Sequence, residues 1–371
     1  MKFSVKSSDL QKSLSKIIGV VPTRSTLPIL ENILFDVNKN ILKITATDLE
    51  LSVTVSVDIK GIQDGIIAIP AKRLADTIKA LPETLVTFSV DTDNNKIKMK
   101  TENGEYALTG ESSDEFPSAP QFKSNNEIVL EPDVLQRLIS KTLFAVSTDE
   151  LRPSMMGILL QFDTSDVKAV ATDGHRLVRI SNSSSTSSTF KKDIVIPAKA
   201  LGLVEKLSTN ESGNISINES HIMFSFGNTS LISRLIEDKY PNYETVIPLD
   251  NEKKLIVNKE ELFHSVRRVS LYSSSATHQI RFSLKKNELS LTAEDVDFGS
   301  EAHETIVCDY TSEEMEIGFN SAYVLDILAH LEYDEIVFNL STPTRAAIIH
   351  PAHQKENEDL LMLVMPVRLN N

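Results

Sequence analysis

Asp173 and His175, in the run ATDGHRL at Ala171–Leu177, are the first residues whose types could do acid–base chemistry. Two residues apart on a strand, they would point to the same side, but no nucleophile or third group stands at a supporting spacing. Asp-Gly is also a hairpin-turn signal, so a turn beside a ligand pocket is the better reading. His278, His303, His350 and His353 invite a metal, yet carboxylates and thiols at supporting spacing are missing, and polar loop histidines account for them. The single cysteine, Cys308, allows no internal disulfide and no paired-thiol zinc site, which suits a reducing cytosol. Neither GxxxxGKS/T nor GxGxxG occurs, so any nucleotide hydrolysis would be done by another chain. No catalytic residue, metal or cofactor is assigned.

The other chemistry within reach is phosphate contact. Lys12, Lys16, Lys72, Arg73, Lys79, Arg137, Lys141, Lys199, Lys206, Arg267 and Arg268 interleave with the apolar stripes of six candidate helices. The whole chain carries 38 Lys+Arg against 52 Asp+Glu, a net charge of −14, which argues against simple coating of nucleic acid or anionic lipid. Those six segments alone carry about +5, leaving about −19 for the remainder of the −14 total. A basic, aromatic-poor helical face suits sequence-independent duplex binding without base readout; ordinary solvated helix faces are the plain alternative.

The elements that must position these residues are repetitive. LPILENILF from Leu27 matches RPSMMGILL from Arg152, LQKSLSK from Leu10 matches LQRLISK from Leu135, and ATDLEL from Ala46 matches ATDGHR from Ala171, all at an offset of 125 residues. IPAKRL from Ile69 and IPAKAL from Ile196 follow in the same order, as do DEFP and DKYP ending at Pro117 and Pro241. A weaker third copy runs through ELFHSVRRV from Glu261, LSLTAED from Leu289 and FNSAYVLDIL from Phe319. Three domains are expected, over residues 1–124, 125–252 and 253–371, with polar linkers near Phe122–Asn126 and Asp250–Lys253.

Within the first copy, a strand, an apolar-striped helix from Asp9 to Val21 and three alternating strands are followed by the same order again, with a helix at Ala71–Leu81 between Pro70 and Pro82. The chain therefore reads as six βαβββ units, an α+β array with helices on one side of antiparallel sheets. Unsatisfied sheet edges at its two ends make head-to-tail closure with a second copy the simplest solution. The Ser/Thr run NSSSTSST after Ile180 reads as a flexible connection, and no stretch is apolar enough for a membrane span or signal peptide, so a soluble cytoplasmic protein is expected.

LPILENILF, ATDGHRL, the FPSAP and YPNYETVIP loops, FNSAYVLDIL and the ending VMPVRL together resemble the bacterial sliding clamps, the beta subunits of DNA polymerase III. The resemblance spans the whole chain. It implies the DNA-clamp fold: a homodimeric ring around duplex DNA, with helices inside and sheets outside. It further implies a non-catalytic processivity role in DNA replication, loading by an ATP-dependent clamp loader, and partners that include the polymerase III catalytic subunit, other polymerases and repair proteins.

The implied DNA contacts are Arg24, Arg73, Arg152, Lys199 and Lys206 beside the helix cations Lys12, Lys16, Lys79, Arg137, Lys141, Arg267 and Arg268. A cleft for a short peptide containing Gln and apolar residues would comprise Met155, Thr172, Gly174, His175, Arg176, Leu177, Pro241, Val246, Ile247, Asn320, Tyr323, Thr344, Ala346, Val364, Met365, Pro366, Val367 and Arg368. Dimer closure would bring Ile78 and Tyr106 against Leu271 and Tyr272, with Leu74 standing where the family's interface helix has a basic residue. The rival reading is a hydrolase or carbohydrate-binding repeat protein acting through Asp173 and His175.

Overall fold

The computed structural model describes residues 1–118, 120, 122, 126–183, 191–208 and 213–369. The Ser/Thr run from position 184 on and residues 123–125 of the first linker lie outside the described residues. Six α-helices are present among those described: α1 (Ser7–Ile17), α2 (Ala71–Ala80), α3 (Pro132–Thr142), α4 (Ala198–Leu207), α5 (Lys259–Val269) and α6 (Ser321–Ala329). The C-terminal ends of α1 and α2 fall short of the spans read from sequence, because the last turns tighten or fray, and α1 starts at Ser7, ahead of Asp9. α1 stops at Ile17 with Ile18 capping it, and 3-10 turns at Leu143–Ala145 and Ser270–Tyr272 follow α3 and α5. No helix of the described residues is long and apolar enough to cross a membrane.

The chain forms two compact units, Met1–Pro132 with Lys199–Leu235, and Asp133–Ala198 with Ile236–Asn371, so the central repeat contributes to both. In the first unit, α1 and α2 bury Leu10, Leu14, Ile17, Leu74 and Ile78. Beneath lies an aromatic core in which the rings of Phe3 and Phe88 stack at 4.7 Å and Phe35 packs against both. The five-stranded sheet of this unit ends on Glu105–Thr109, and its eight-stranded sheet runs from Asn126–Leu130 to Gly65–Pro70. The second unit has a nine-stranded sheet and a four-stranded sheet that ends on Ser300–Val307. Every named strand ladder is antiparallel, as alternating patterns with short turns require.

The sequence repeat reappears as a repeated junction. Leu51–Asp58 pairs with Thr229–Arg234 in the first unit, joining the first repeat to the second in one continuous sheet. In the second unit Arg176–Asn182 pairs with Glu358–Val364 in the same way, and Arg176 stands 125 positions after Leu51. Each junction strand is entered from the same tight turn, and at Arg176 that turn forms part of a cavity.

Candidate partner-binding cleft

In the second unit, strands Val167–Thr172 and Arg176–Asn182 are joined by Asp173-Gly174-His175. Thr172 Oγ1 donates to the Arg176 carbonyl at 2.7 Å and accepts from the Gly174 N–H. Asp173 Oδ1 accepts from the N–H groups of His175 and Arg176 at 2.9 and 3.0 Å, and Oδ2 accepts from Arg176 Nε at 3.1 Å. The Asp173 carboxylate is thus occupied in building the turn. Gly174 has φ +90, and a Cβ there would stand 2.9 Å from Arg152 Nη1. The left-handed backbone favours glycine, whereas the Arg152 head is the far end of a flexible side chain that can shift. The first repeat builds the same turn with Thr47 and Asp48, but with Leu49 at φ 80 in glycine's place.

Arg176 anchors the turn from below. Besides Asp173, it donates to Asp326 Oδ2 at 2.5 Å and to the Phe144 carbonyl at 2.8 Å, and its guanidinium carbon lies 4.8 Å from the Tyr323 ring centroid. The His175 ring faces the same Tyr323 ring at 5.8 Å. The chain end is tied in by backbone bonds from Met365 N–H to the His175 carbonyl and from Val367 N–H to the Gly318 carbonyl. Across from the turn, the 241–248 loop is held by Tyr240, whose hydroxyl donates to the Val170 carbonyl, and by Tyr243, which donates to Gln161 Oε1 at 2.7 Å. Burial pushes both phenol pKa values up, so both remain donors.

These elements enclose an open cavity of about 530 Å³ floored by apolar side chains of one buried cluster that includes Leu177, Tyr243, Ala346 and Leu363. Of the sequence-predicted cleft residues, Met155, Thr172, Gly174, His175, Arg176, Leu177, Pro241, Val246, Ile247, Thr344, Ala346 and Met365 line it. Asn320, Tyr323, Val364, Pro366, Val367 and Arg368 do not. Val364 is wholly buried between Arg176 and Ala347 in the sheet, Asn320 caps α6 through the Ala322 N–H, and Tyr323 reaches the cavity only by supporting His175 and Arg176. Asn242, Tyr243, Thr245, Pro248, Arg345 and Leu363 also line it and were missed. The first four lie inside the quoted YPNYETVIP loop, so the signal was present.

The basic residues divide sharply. Lys12, Lys16 and Lys206 meet around one hollow of the first unit, where Lys16 Nζ donates to Asn228 and Thr229. Arg24, Lys72, Arg73, Lys79 and Arg267 are exposed, Lys199 pairs with Asp48, and Arg268 donates twice to Glu304. Arg137 and Lys141 overturn the expectation that cations of α3 project freely. Lys141 is 5% exposed and donates to the His330 carbonyl at 2.7 Å, while Arg137 forks onto Glu358 and Glu332. Arg152 stands at the cleft, paired with Asp149 at 2.8 Å.

The expected dimer contact Ile78 is also corrected. It is completely buried in the apolar stripe of α2, as is Leu74, so neither can meet a second chain. Tyr106, Leu271 and Tyr272 are exposed.

Residues 1–120, 129–242 and 244–368 match, in turn, the N-terminal, central and C-terminal domains of the DNA polymerase III beta subunit. The chain belongs to the DNA polymerase III beta subunit family. A beta sliding clamp of Pseudomonas putida is 31% identical over the full length of both chains. Crystal structures of sliding clamps from Bartonella birtlesii, bound to griselimycin, and from Bacillus subtilis are 33% and 27% identical, each covering 100% of both chains with a TM-score of 0.93.

Beta subunits are non-catalytic processivity factors with DNA and polymerase as partners, which removes the hydrolase or carbohydrate-binding alternative. The geometry agrees: Asp173 is consumed by its turn, and His175 stacks on an aromatic ring. Of the other histidines named from the sequence, His350 is engaged with Asn339 and His303 with Thr292. Among the described residues, no group of three or more His, Cys, Asp and Glu could hold a metal.

Proposed function

We propose that two copies of this chain close head to tail into a ring that holds polymerase on duplex DNA, and that the 530 Å³ cavity receives a short peptide from each partner. The three domains are residues 1–124, 125–252 and 253–371, each of two βαβββ units. The observation that carries closure is a pair of free sheet edges, Glu105–Thr109 in the first unit and Ser300–Val307 in the second. Each presents an unpaired row of backbone donors and acceptors, and each has exposed apolar groups at hand, Tyr106 on the first and Leu271 and Tyr272 near the second. The edges differ, so the contact is heterologous, and two such contacts close a ring.

Lys12, Lys16, Arg24, Arg73, Lys79, Lys199, Lys206, Arg267 and Arg268 supply phosphate contacts; Arg152 is assigned to the cleft it lines, and Arg137 and Lys141 are left out because their side chains, 18% and 7% exposed, are withdrawn from solvent. An ATP-dependent loader opens one contact. Polymerase III catalytic subunit, other polymerases and repair proteins share the cavity, whose walls include the adaptable side chains of Met155 and Met365.

Sedimentation velocity over a range of concentrations tests the closure. The wild-type chain is expected to sediment as a dimer and Leu271→Asp as a monomer that keeps the wild-type far-ultraviolet circular dichroism spectrum, because Leu271 is 80% exposed in the single chain. A wild-type monomer at every concentration, or a Leu271→Asp dimer of undiminished strength, overturns it.

A further inference from the structure

The two junctions built alike in backbone are tied by different side chains. Lys12 and Lys16 of α1 stand 125 positions before Arg137 and Lys141 of α3, and Thr229 and Glu358 each open the strand contributed by the following repeat. At the second junction these places hold ions of opposite sign. Arg137 forks onto Glu358, Glu332 bridges Arg137 and Lys141 at 2.8 Å each, and the Arg137, Lys141 and Glu358 side chains are 18%, 7% and 3% exposed. The Phe144 and His330 rings stack across the same junction at 3.9 Å. At the first junction the corresponding acceptors are neutral. Lys16 Nζ donates to Asn228 Oδ1 at 3.3 Å and to Thr229 Oγ1 at 3.1 Å, and Lys12 is exposed. Two ion pairs do cross it, Lys199 with Asp48 and Arg234 with Glu50, but both cations are half exposed, and such pairs contribute little. Its ladder is also shorter. It runs from Leu51 paired with Ser233 to Val55 paired with Thr229, whereas the second runs from Arg176 paired with Val364 to Asn182 paired with Glu358.

We propose that the first junction is the hinge at which the chain flexes when the ring is opened, and that the buried ion network keeps the second junction rigid through that motion. A small bend parts the charges of the second junction before water can enter between them, so the ions lose their partners without regaining hydration. The bonds from Lys16 at the more open first junction are exchanged for water at little cost. Both sides of each junction lie within one compact unit, so the contrast is a property of the single chain. Its use in opening rests on the closure proposed above.

The test is hydrogen exchange of the full chain, read by mass spectrometry as protection relative to the unstructured rate, in the wild type and in Leu271→Asp. In the Leu271→Asp single chain, amides of Leu51–Asp58 and Thr229–Arg234 are expected to be at least about tenfold less protected than those of Arg176–Asn182 and Glu358–Val364. Closure fixes the bend, so in the wild-type dimer the first junction gains protection and the second does not. Glu332→Gln, and Arg137→Gln where it folds, lower protection at the second junction and leave the first unchanged. Equal protection at the two junctions of the single chain, or greater protection at the first, overturns the hinge. A second junction unmoved by Glu332→Gln overturns the network as the source of its rigidity. Equal gains at both junctions on dimerisation overturn the role in opening. A wild-type chain that sediments only as a monomer overturns the closure instead, and with it the role in opening, while the contrast within the single chain is still decided by its own exchange.

Discussion

Arg137 and Arg345 carry the same charge in opposite circumstances. Arg345 is exposed at the mouth of a cavity, whereas Arg137 is tucked between α3, the strand Glu358–Val364 and the residues after α6. Arg137 forks onto Glu358 at 2.7 and 2.6 Å and reaches Glu332 at 2.8 Å, and the Glu358 side chain is only 3% exposed. Removing the arginine strands a buried carboxylate. Arg137→Gln is therefore expected to cost about 3–5 kcal/mol of stability in urea unfolding, a typical value for breaking a buried pair from one side. Glu332 gives the same network a pH signature. Burial pushes its pKa up, but hydrogen bonds from Lys141 and Arg137 outweigh that and hold it at about 2, below its ordinary 4.5. Its contribution to stability is complete above about pH 4.5 and is lost as pH falls toward about 2. Glu332→Gln should flatten that part of the stability–pH curve; an unchanged curve would remove Glu332 from the network.

At the scale of elements, the turn ATDGHR and the chain end form one device, because the Met365 N–H bonds the His175 carbonyl at 2.8 Å and Met365 lines the cavity. Deleting Met365–Asn371 is expected to abolish peptide binding in an anisotropy titration and leave the dimer intact, since Tyr106, Leu271 and Tyr272 are untouched. Unchanged peptide affinity would contradict it. The elements were largely legible in the sequence. Apolar spacing and the repeat placed all six helices, and the structure adds that the offset of 125 residues separates two junctions built alike. Burial of individual helix residues was less legible. Ile78 lies on the core stripe of α2, which its spacing from Leu74 signals, although the family resemblance implies it as a dimer contact. Lys141 could not be placed by pattern at all, because a charged residue is withdrawn from solvent by Glu332 and the His330 carbonyl, nearly two hundred residues away. Arg345 is exposed and lines the cavity, a placement that depends on the distant 241–248 loop.

For the whole molecule, a net charge of −14 conceals a division between helices of about +5 and an acidic remainder. That division suits the proposed ring, in which basic helices would face DNA and the acidic remainder would repel it. The decisive property of such a ring is topological, because encirclement survives loss of any single contact but not a free DNA end. The most direct measurement loads the full chain with its loader and ATP onto a nicked circular plasmid, linearises half of the sample, and follows clamp retained on DNA by gel filtration at moderate salt. Encirclement predicts retention on the circle and rapid loss after linearisation. Equal retention on circular and linear DNA would contradict it.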